Sequence, residues 1–301
     1  MKLTILGCYS ATPRTNTNPT SQVLDIQNHL FLIDCGEGTQ VELRRNKIKF
    51  ARIKHIFISH LHGDHFFGLV GLISTFRLLT READLHIYGP KGLKDIITLQ
   101  MKLTESWTNY QLIFHELTSK DSQCIFEDDK VEVHTIPLNH RVYTNGFLFK
   151  EKENERKLNV TAAENEHINV AYFRKLKQGF DVLNEEGKLI KNELVTSDGK
   201  KPLSYAFCSD TMYDEAIILI IKNVDVLYHE STFLDKNKKL AEPTKHSTAK
   251  QAATIAKKAN VKRLILGHYS TRYNGINEFK VEANTVFDNV ELAEDGKVFE
   301  F

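Results

Sequence analysis

The sequence predicts a layered α/β or α+β domain of the sandwich kind. Both halves of the chain are rich in short strand patterns, and segments of helical length separate or follow these patterns. Of the 301 residues, 41% are hydrophobic and 26% are charged, and there are only 15 Gly and 6 Pro. These are the proportions of a globular protein, so they exclude the disordered and collagen-like classes.

Short apolar or alternating runs predict the strands of the first half, because side chains that alternate between two faces are typical of strands. These runs lie at 3–6, 21–26, 30–33, 54–58 and 85–88. Three further segments have the length and the apolar spacing of helices, at 38–45, 66–78 and 93–101. The first half is therefore expected to alternate between strands and helices.

The second half repeats this organisation. Strands are predicted near 131–136, 146–149, 204–208, 225–228 and 263–266, with a helix over 248–259. Residues 150–201 interrupt it, because this segment is densely charged and poor in strand patterns although it lies between two predicted strands. The pattern predicts an inserted arm or lid and is equally compatible with an ordinary surface excursion.

The charge, the cysteines and the hydropathy of the sequence indicate the environment in which the protein is expected to lie. With 40 basic and 39 acidic residues the net charge is +1, which neither favours nor excludes a nucleic-acid partner. The four cysteines are scattered and form no CxxC pair, as expected in a reducing cytosol. No apolar run approaches the roughly 18–20 residues that span a bilayer, and the N-terminal MKLTILGCYSATP predicts a first strand instead of a signal peptide. We therefore expect a soluble, cytoplasmic protein with no membrane partner.

A cluster of ligand-type residues follows the predicted strand 54–58. Its members are His60, His62, Asp64 and His65. Imidazole and carboxylate together suit Zn²⁺ or a neighbouring first-row ion. The two histidines of the His-x-His step lie on one side of an extended segment, whereas Asp64 and His65 turn away and can reach a second ion. The cluster predicts a metal site with two ions.

Such a cluster cannot complete two coordination spheres alone, and the remaining candidates stand at the ends of other predicted strands. His140 follows VHTIPLN, Asp210 follows YAFCS, and His268 follows RLILG. Each one taken singly could equally be a solvated polar residue. Together with the first cluster, however, they supply the metal ligands that the cluster lacks. The Asp210 carboxylate could bridge two ions, which in such sites lie about 3.5–4 Å apart.

The motif HLHGDH, the isolated His140, the aspartate of CSDT and the late His268 resemble those of the metallo-β-lactamase-fold hydrolases. More narrowly, the chain resembles the ribonuclease Z family of tRNA 3′-processing endonucleases. The stretches that carry this resemblance are 4–14 (TILGCYSATPR), 34–45 (DCGEGTQVELRR), 229–233 (HESTF), 245–253 (KHSTAKQAA) and 266–273 (LGHYSTRY). Ser209-Asp210-Thr211 stands where the family has Gly-Asp-Thr, which keeps the carboxylate.

The resemblance implies an α+β fold, a layered αββα sandwich over residues 1–301, with the segment 150–201 as an inserted exosite arm that grips tRNA. It implies two Zn²⁺ per subunit, for which Mn²⁺ or Co²⁺ could substitute. One zinc would be held by His60, His62 and His140, and the other by Asp64, His65 and His268. Asp210 would bridge the two ions.

The resemblance also implies the reaction, in which a 3′ trailer is removed from precursor tRNA by metal-hydroxide attack on a phosphodiester. Asp64 would act as the general base, and His246, oriented by Glu230, would supply a proton to the leaving 3′-oxygen. His246 precedes Ser247-Thr248 and a helical run, and a helix N-terminus there would suit a phosphate. The alternative for His246 is an exposed loop histidine near a helix cap.

Two local basic clusters favour an RNA substrate although the net charge is near zero. Residues 41–54 contain six basic residues and one Glu, and residues 245–273 contain seven basic residues and no acid. In the arm, Arg174, Lys175 and Lys177 stand beside Tyr172 and Phe173 and are the expected tRNA contacts. The family resemblance further implies a homodimer.

Two rival functions remain open. A small-molecule phosphodiesterase on the same fold would share the chemistry and differ only in what the rim of the site admits. A metal-bound RNA-binding protein without turnover is the alternative from another class.

Six histidines are expected to lie outside the site, on strand bodies or without ligand-type neighbours: His29, His55, His86, His115, His134 and His167.

Overall fold

The computed structural model describes residues 1–12 and 14–301, so Pro13 of the stretch 4–14 lies outside the described residues. The chain forms two compact units, of which the first is Met1–Lys150 with Leu203–Phe301 and the second is Glu151–Pro202. The strands are β1 (Lys2–Gly7), β2 (Ser21–Ile26), β3 (His29–Ile33), β4 (Ile53–Phe57), β5 (Leu85–Pro90), β6 (Leu112–Leu117), β7 (Cys124–Glu127), β8 (Val131–Leu138), β9 (Thr144–Glu151), β10 (Lys157–Leu158), β11 (Val182–Leu183), β12 (Leu189–Ile190), β13 (Thr196–Ser197), β14 (Ser204–Cys208), β15 (Val226–Glu230), β16 (Arg263–Gly267), β17 (Val290–Leu292) and β18 (Val298–Glu300).

The helices are α1 (Thr39–Arg45), α2 (Gly63–Phe66), α3 (Leu69–Leu78), α4 (Leu93–Leu103), α5 (Val160–Asn165), α6 (Phe173–Lys177), α7 (Asn192–Val195), α8 (Lys238–Thr244), α9 (Ala249–Lys258) and α10 (Asn277–Ala283). Short 3₁₀ helices lie at Phe50–Arg52, Val170–Tyr172, Glu215–Ile218 and Asp235–Asn237. Among the residues that the structure describes, no helix is long and apolar enough to cross a membrane.

The first unit contains two seven-stranded mixed sheets. Their strand orders are β18-β1-β2-β3-β4-β5-β6 and β17-β16-β15-β14-β9-β8-β7. The sheets pack face to face through aromatic side chains, since Phe31 lies 5.5 Å from Phe149 and Phe57 lies 5.4 Å from Phe147 between ring centroids. This arrangement buries the apolar face of each sheet against the other.

Helices cover the outer faces of both sheets. Leu69 and Ile73 of α3 and Ile97 of α4 are buried in one apolar cluster with side chains of β3 and β4. On the second sheet α9 contacts β15 and β16, and α10 contacts β17. The first unit is therefore a four-layered α/β/β/α sandwich, as the sequence predicts.

Parallel strands bring the polar residues that follow them to one edge. Neighbours β3 to β6 are parallel in the first sheet, and β14 to β17 are parallel in the second. The carboxyl ends of such strands lie together, and the loops that leave them form a common rim. Asp34, His60, Asp210 and His268 all stand in these loops.

The helix predicted at 66–78 is divided in the structure. The helix α2 ends at Phe66, and α3 begins at Leu69. Gly68 between them packs directly on the turn after β3, where its N–H donates to the Cys35 carbonyl at 2.9 Å. A Cβ atom on Gly68 would lie 2.1 Å from the Gly36 carbonyl oxygen, so only glycine fits there.

The second unit has an apolar core of its own. It contains β10 to β13, α5 to α7 and one 3₁₀ helix, and its strands pair as two antiparallel two-stranded sheets, β10 with β13 and β11 with β12. The buried side chains of this core are Ala163, Ile168, Leu176, Val182, Ile190 and Val195. This unit spans the segment predicted as an inserted arm, and its role as a tRNA exosite stays a prediction.

Candidate metal centre

The cluster after β4 is extended at first and then becomes helical. His62 has extended backbone angles and directly precedes α2, so the rings of His60 and His62 approach on one side, with Nε2 and Nδ1 3.0 Å apart. Asp64 and His65 lie in the first turn of α2, which turns their side chains to another direction. The local backbone thus separates the four residues into two pairs.

One set of donor atoms gathers around the first pair. The side chains of His60, His62, His140 and Asp210 each offer an atom within 4.8 Å of the others. His62 Nδ1 lies 3.3 Å from His140 Nε2, and Asp210 Oδ2 lies 3.5 Å from His60 Nε2 and 3.7 Å from His140 Nε2. Three imidazoles and one carboxylate oxygen form a set of ligands that suits Zn²⁺.

A second set gathers around Asp64 and His65, to which His268 adds a third donor within 4.8 Å. The other oxygen of Asp210, Oδ1, lies 3.2 Å from His65 Nε2 and 3.0 Å from His268 Nε2. Asp64 Oδ2 lies 3.4 and 3.7 Å from the same two nitrogens. Asp210 therefore presents one oxygen to each set.

The hydrogen bonds of the second set fit a bound cation. The Nε2 atoms of His65 and His268 are buried and make no hydrogen bond to any residue that the structure describes, although carboxylate oxygens lie close to both. His65 Nδ1 donates to Asp34 Oδ2 at 2.7 Å, and His268 Nδ1 donates to Thr232 Oγ1 at 2.9 Å. Each ring is thereby oriented by one nitrogen and keeps the other for a metal.

The ring of His140 is oriented in the same way, because its Nδ1 donates to the backbone carbonyl of Lys245 at 3.0 Å. Lys245 Nζ in turn donates to the His140 carbonyl at 3.2 Å and to Asn139 Oδ1 at 3.1 Å. These reciprocal bonds tie the loop after β8 to the loop before α9. The position of His140 is therefore set by two distant parts of the chain.

Three residues of the same rim have left-handed backbone. Asp34, Asp210 and His268 all have positive φ, at 55°, 56° and 58°. Each of them follows a buried strand within two residues, so the chain turns sharply where the polar side chain must project. Left-handed backbone at a non-glycine residue is unfavourable and is retained where the surroundings over-determine it, as at functional sites.

Electrostatics divide the two sets. Burial lowers the pKa of His60 well below its usual range and that of His140 to about 4, so these rings are neutral. For His65 and His268 burial is the largest effect and also opposes the charged form, but the neighbouring carboxylates, with Asp210 first among them and Asp64 next to it, together outweigh burial and raise the pKa, to about 10 for His268. The negative potential that would hold protons on these two rings is one that attracts a cation.

His246 and Glu230 form a buried pair beside the two sets. Glu230 is fully buried and accepts hydrogen bonds from Thr211 N–H and from the N–H and hydroxyl of Thr232. His246 Nδ1 donates to Glu230 Oε1 at 2.8 Å. Burial opposes a charge on His246, but the charge and hydrogen bond of Glu230 together with the charge of Asp210 outweigh burial and raise the pKa of His246. His246 also borders a cavity of about 240 Å³ that Asp64, Asp210 and His268 line.

The structure thus gathers every sequence-predicted site residue at one rim. His246 can also approach Asp210 and His268 within 4.8 Å, so its position alone does not separate a proton donor from a ligand. Each of the two ligand sets already has four donors without His246 when one Asp210 oxygen is counted in each, which favours the former. Asp34, Thr232 and Arg141 were missed by sequence reasoning. Asp34 could have been found, because it directly follows β3 just as the predicted ligands follow their strands.

The histidines predicted to lie outside the site belong to no ligand set among residues 1–12 and 14–301. Four of them form a row of rings on neighbouring strands: His29 on β3, His55 on β4, His86 on β5 and His115 on β6. His134 lies on β8 beside Glu132, and His167 is exposed in the second unit.

The two basic clusters are partly neutralised. Arg45 pairs with Glu42, Arg52 with Asp25, Lys258 with Glu215, Lys262 with Asp225 and Arg263 with Glu291. Arg141 and Lys245 lie closer to the ligand sets, since Arg141 lines the cavity of His246. The positive charge near the site is therefore more local than the sequence clusters indicate.

Known proteins match this chain over almost its whole length. A protein named Ribonuclease Z from Bacteroides fragilis is 44% identical over 294 residues, which are 98% of this chain and 97% of that protein. The Ribonuclease Z of Cytophaga hutchinsonii is 46% identical over 300 residues, which are 99% and 95% of the two chains. A family model described as Anti-Pycsar protein Apyc1 matches residues 1–177, so this part also belongs to the family which that model describes.

Solved structures show the same architecture. The short form of human tRNase Z has a TM-score of 0.73 at 28% identity and covers 100% of this chain and 99% of its own. The metallo-β-lactamase fold protein YhfI from Bacillus subtilis has a TM-score of 0.70 at 19% identity, with 99% of each chain covered, and shows the fold alone. From the rim of ligand-type residues and these full-length matches, the chain belongs to the ribonuclease Z family and has the metallo-β-lactamase fold.

Proposed function

We propose that the protein is a zinc-dependent endoribonuclease that removes 3′ trailers from precursor tRNA and leaves a tRNA 3′-hydroxyl. The observation that carries this proposal is the Asp210 carboxylate, whose two oxygens face two separate sets of histidine nitrogens beside the His246–Glu230 pair. The relatives named Ribonuclease Z, which match almost the whole chain, support the same reaction.

Two divalent ions bound by these sets would polarise a phosphoryl group and lower the pKa of a bound water towards about 7. His60, His62 and His140 would hold one ion, and Asp64, His65 and His268 the other, with Asp210 between them. Mn²⁺ and Co²⁺ accept the same nitrogen and oxygen ligands as Zn²⁺.

The proton steps are assigned to residues of the chain. Asp64 takes the proton of the attacking water, and its Oδ2 is held by the N–H of Ala11 at 2.9 Å. His246 gives a proton from Nε2 to the leaving 3′-oxygen, because its Nδ1 is bound to Glu230. Glu230 acts through His246 by fixing the ring and favouring its protonated form.

Precursor tRNA would contact both units through local positive groups. In the first unit Arg141 lines the cavity beside His62 and Asp64. In the second unit Arg174, Lys175 and Lys177 are exposed, and Lys175 Nζ lies 5.7 Å from the ring centroid of the partly exposed Tyr172. Cations beside an aromatic ring suit a nucleic-acid backbone with unstacked bases.

A homodimer is part of the proposal, and exposed apolar side chains on α4 support it. Leu99 and Leu103 stand one helical turn apart on the same face and are 55% and 74% exposed. Replacement of both by Asp is expected to convert a dimer into a monomer in sedimentation velocity. Val281→Asp on α10, where the valine is 69% exposed, is the control and should leave the dimer intact. A wild-type monomer would contradict this proposal.

A cytoplasmic location is also proposed. It is supported by the buried thiols of Cys8, Cys35 and Cys208, since a reducing compartment keeps such groups as thiols.

The deciding experiment incubates zinc-loaded protein with a 3′-extended precursor tRNA and maps the cut, with Asp64→Ala alongside. A single cut next to the discriminator base that the variant does not make is the expected result. If the RNA stays intact while bis-p-nitrophenyl phosphate is hydrolysed, the alternative of a small-molecule phosphodiesterase is correct. If neither substrate is hydrolysed although zinc is bound, the protein binds metal without turnover.

A further inference from the structure

A second cavity adjoins the ligand sets and has no role in the reaction described above. It has a volume of about 540 Å³, lies between the β8–β9 loop and the loop after β14, and has His140 in its wall. Cavities of about 300–1,000 Å³ hold small organic groups. Because His140 belongs both to this wall and to the first ligand set, the cavity is the immediate neighbour of any phosphodiester held there.

One wall of the cavity is an aromatic ring in a fixed position. Tyr143 lines the cavity, and its hydroxyl donates to the Ser119 carbonyl at 2.8 Å. The same hydroxyl oxygen accepts a hydrogen bond from Asn145 Nδ2 at 2.9 Å. With its polar end held by two bonds, the partly exposed ring offers a rigid apolar surface to a planar group.

Asn145 contributes an unsatisfied acceptor. Its side chain also lines the cavity, is 1% exposed, and its Oδ1 has no hydrogen-bond partner among the described residues. The orientation of the Asn145 amide is fixed by the Tyr143 hydroxyl. This hydroxyl donates its hydrogen to the Ser119 carbonyl, so it can only accept a hydrogen bond from the Asn145 amide nitrogen. A buried acceptor without a donor is unfavourable, so a ligand that supplies a hydrogen-bond donor would stabilise it.

Asn145 also ties the cavity to the metal centre. Its backbone N–H donates to the carbonyl of Ser59, the residue that directly precedes His60, at 3.1 Å. The Ser59 hydroxyl and N–H in turn bind the Asp34 carboxylate. A group held at Asn145 is thus placed on the same rigid frame that positions the metal-ligand loop.

We propose that this cavity binds the nucleobase of a nucleotide that flanks the cleaved phosphodiester, a subsite that rests on the proposed function. The base packs against the ring of Tyr143, and one of its N–H groups donates to Asn145 Oδ1. Each of the four bases carries at least one N–H on its pairing edge, so the subsite recognises the presence of a base more than its identity. The exposed Lys120 at the rim of the cavity suits the adjoining phosphate.

The test compares precursor tRNA with an intact base and with an abasic site at each of the two positions that flank the cut. For the wild-type protein, one abasic substitution is expected to lower kcat/KM at least about fivefold, the lower end of the effect of one base stacked on an aromatic side chain. Two variants should bring the intact-to-abasic ratio close to one: Ala216→Trp, which fills the cavity from its exposed rim, and Tyr143→Leu, which removes the ring.

Ala51→Trp is the matched control, because Ala51 is also an exposed alanine in a 3₁₀ helix at the rim of another cavity. It should keep the wild-type ratio, and zinc content should be the same in all the proteins. The subsite is wrong if wild-type protein cleaves both abasic substrates as fast as the intact one, or if both variants keep the wild-type ratio. A wild-type protein that cleaves no precursor tRNA overturns the proposed function itself.

Discussion

At the scale of single residues, the candidate site depends on groups that touch the ligand-type side chains. Asp34, Thr232 and the carbonyl of Lys245 each bind the Nδ1 of a different imidazole, so the Nε2 atoms of His65, His268 and His140 all face the inside of the site. Sequence spacing indicates which residues offer ligands, but it cannot indicate which nitrogen they offer. That choice is made by the hydrogen-bond partner.

Asp34→Asn tests this dependence. Asp34 accepts from the N–H and hydroxyl of Ser59 and from His65 Nδ1, and an amide has only one acceptor atom for these three donors. The amide nitrogen would face His65 Nδ1, which shifts the ring proton to Nε2 and removes the ligand. We expect the affinity for one of two bound zinc ions to fall about 10- to 100-fold, measured by competition with a chelator.

The control for this measurement is Asp25→Asn, because Asp25 is partly exposed and pairs with Arg52 instead of a site residue. Equal zinc affinity in the Asp34 and Asp25 variants would show that the orientation of His65 does not depend on Asp34.

His246→Ala tests the proton donor. If His246 protonates the leaving oxygen, its loss should slow cleavage of precursor tRNA about 10²- to 10⁴-fold, the usual contribution of general acid catalysis. Bound zinc should stay unchanged, because each of the two ligand sets has four donors without His246. His134→Ala, which removes a histidine of β8, is the control for both quantities. A loss of one zinc ion together with activity would instead identify His246 as a ligand.

At the scale of elements, sequence patterns predict the interior of each sheet and miss its edges. Ten strands were predicted in the first unit, and all ten are present. The four that were missed, β6, β7, β17 and β18, are the four edge strands of the two sheets. Three of them have only three or four residues, and the side chains of β6 are mostly half-buried. Such strands bury too little surface to impose an alternating pattern.

The row of histidines on β3 to β6 makes a prediction about stability and pH. Burial, followed by the charges of His86, His29, His115 and Lys54, lowers the pKa of His55 to about 3. Asp128 and Phe126 face the row from β7 and its following turn. In the unfolded chain His55 titrates near its ordinary value of about 6.5. The unfolded state therefore binds more protons below this pH, and the free energy of unfolding falls as the pH drops.

His55→Phe should reduce this dependence, since an aromatic ring suits the contacts with His86 and Phe126 at 5.0 and 4.7 Å. Because His55 is only partly buried, we expect the loss between pH 6.5 and 4.5 to be smaller in the variant by about 1–2 kcal/mol. Urea unfolding of the metal-free protein at the two pH values measures this loss of unfolding free energy. His167→Gln, in the second unit, should keep the wild-type slope, and the same slope in all three proteins would contradict the prediction.

At the scale of the whole molecule, the site is built from both sheets. Asp34 and His60 follow strands of the first sheet, whereas Asp210 and His268 follow strands of the second. The rule that ligand-type residues follow apolar strands identified most of these positions in the sequence. It could not show that the ends of two separate sheets meet, because sequence periodicity carries no information on how sheets pack. The family resemblance supplied that step.

The second unit offers the sharpest test of how the whole chain works. Its flanking strands β9 and β14 are antiparallel neighbours in which Lys150 lies directly opposite Ser204. Residues 151–203 can therefore be replaced by Asn-Gly, which forms the two-residue turn that such a hairpin favours. The first unit should still fold, because the replacement takes only Glu151 from the end of β9 and the adjoining Leu203, and the apolar core between the sheets lies outside the replaced residues.

If the second unit is the arm that grips tRNA, the shortened protein should hydrolyse bis-p-nitrophenyl phosphate at the wild-type rate. Its KM for precursor tRNA should rise far more than its KM for this small phosphodiester. The salt dependence of that KM should also become shallower, by about 1 in the log–log slope for each lost phosphate contact. Replacement of Arg174, Lys175 and Lys177 by Gln in the intact chain is the matched variant, and it should reproduce the slope change in part. Equal effects on both substrates would mean that the second unit supports the catalytic rim and does not bind RNA.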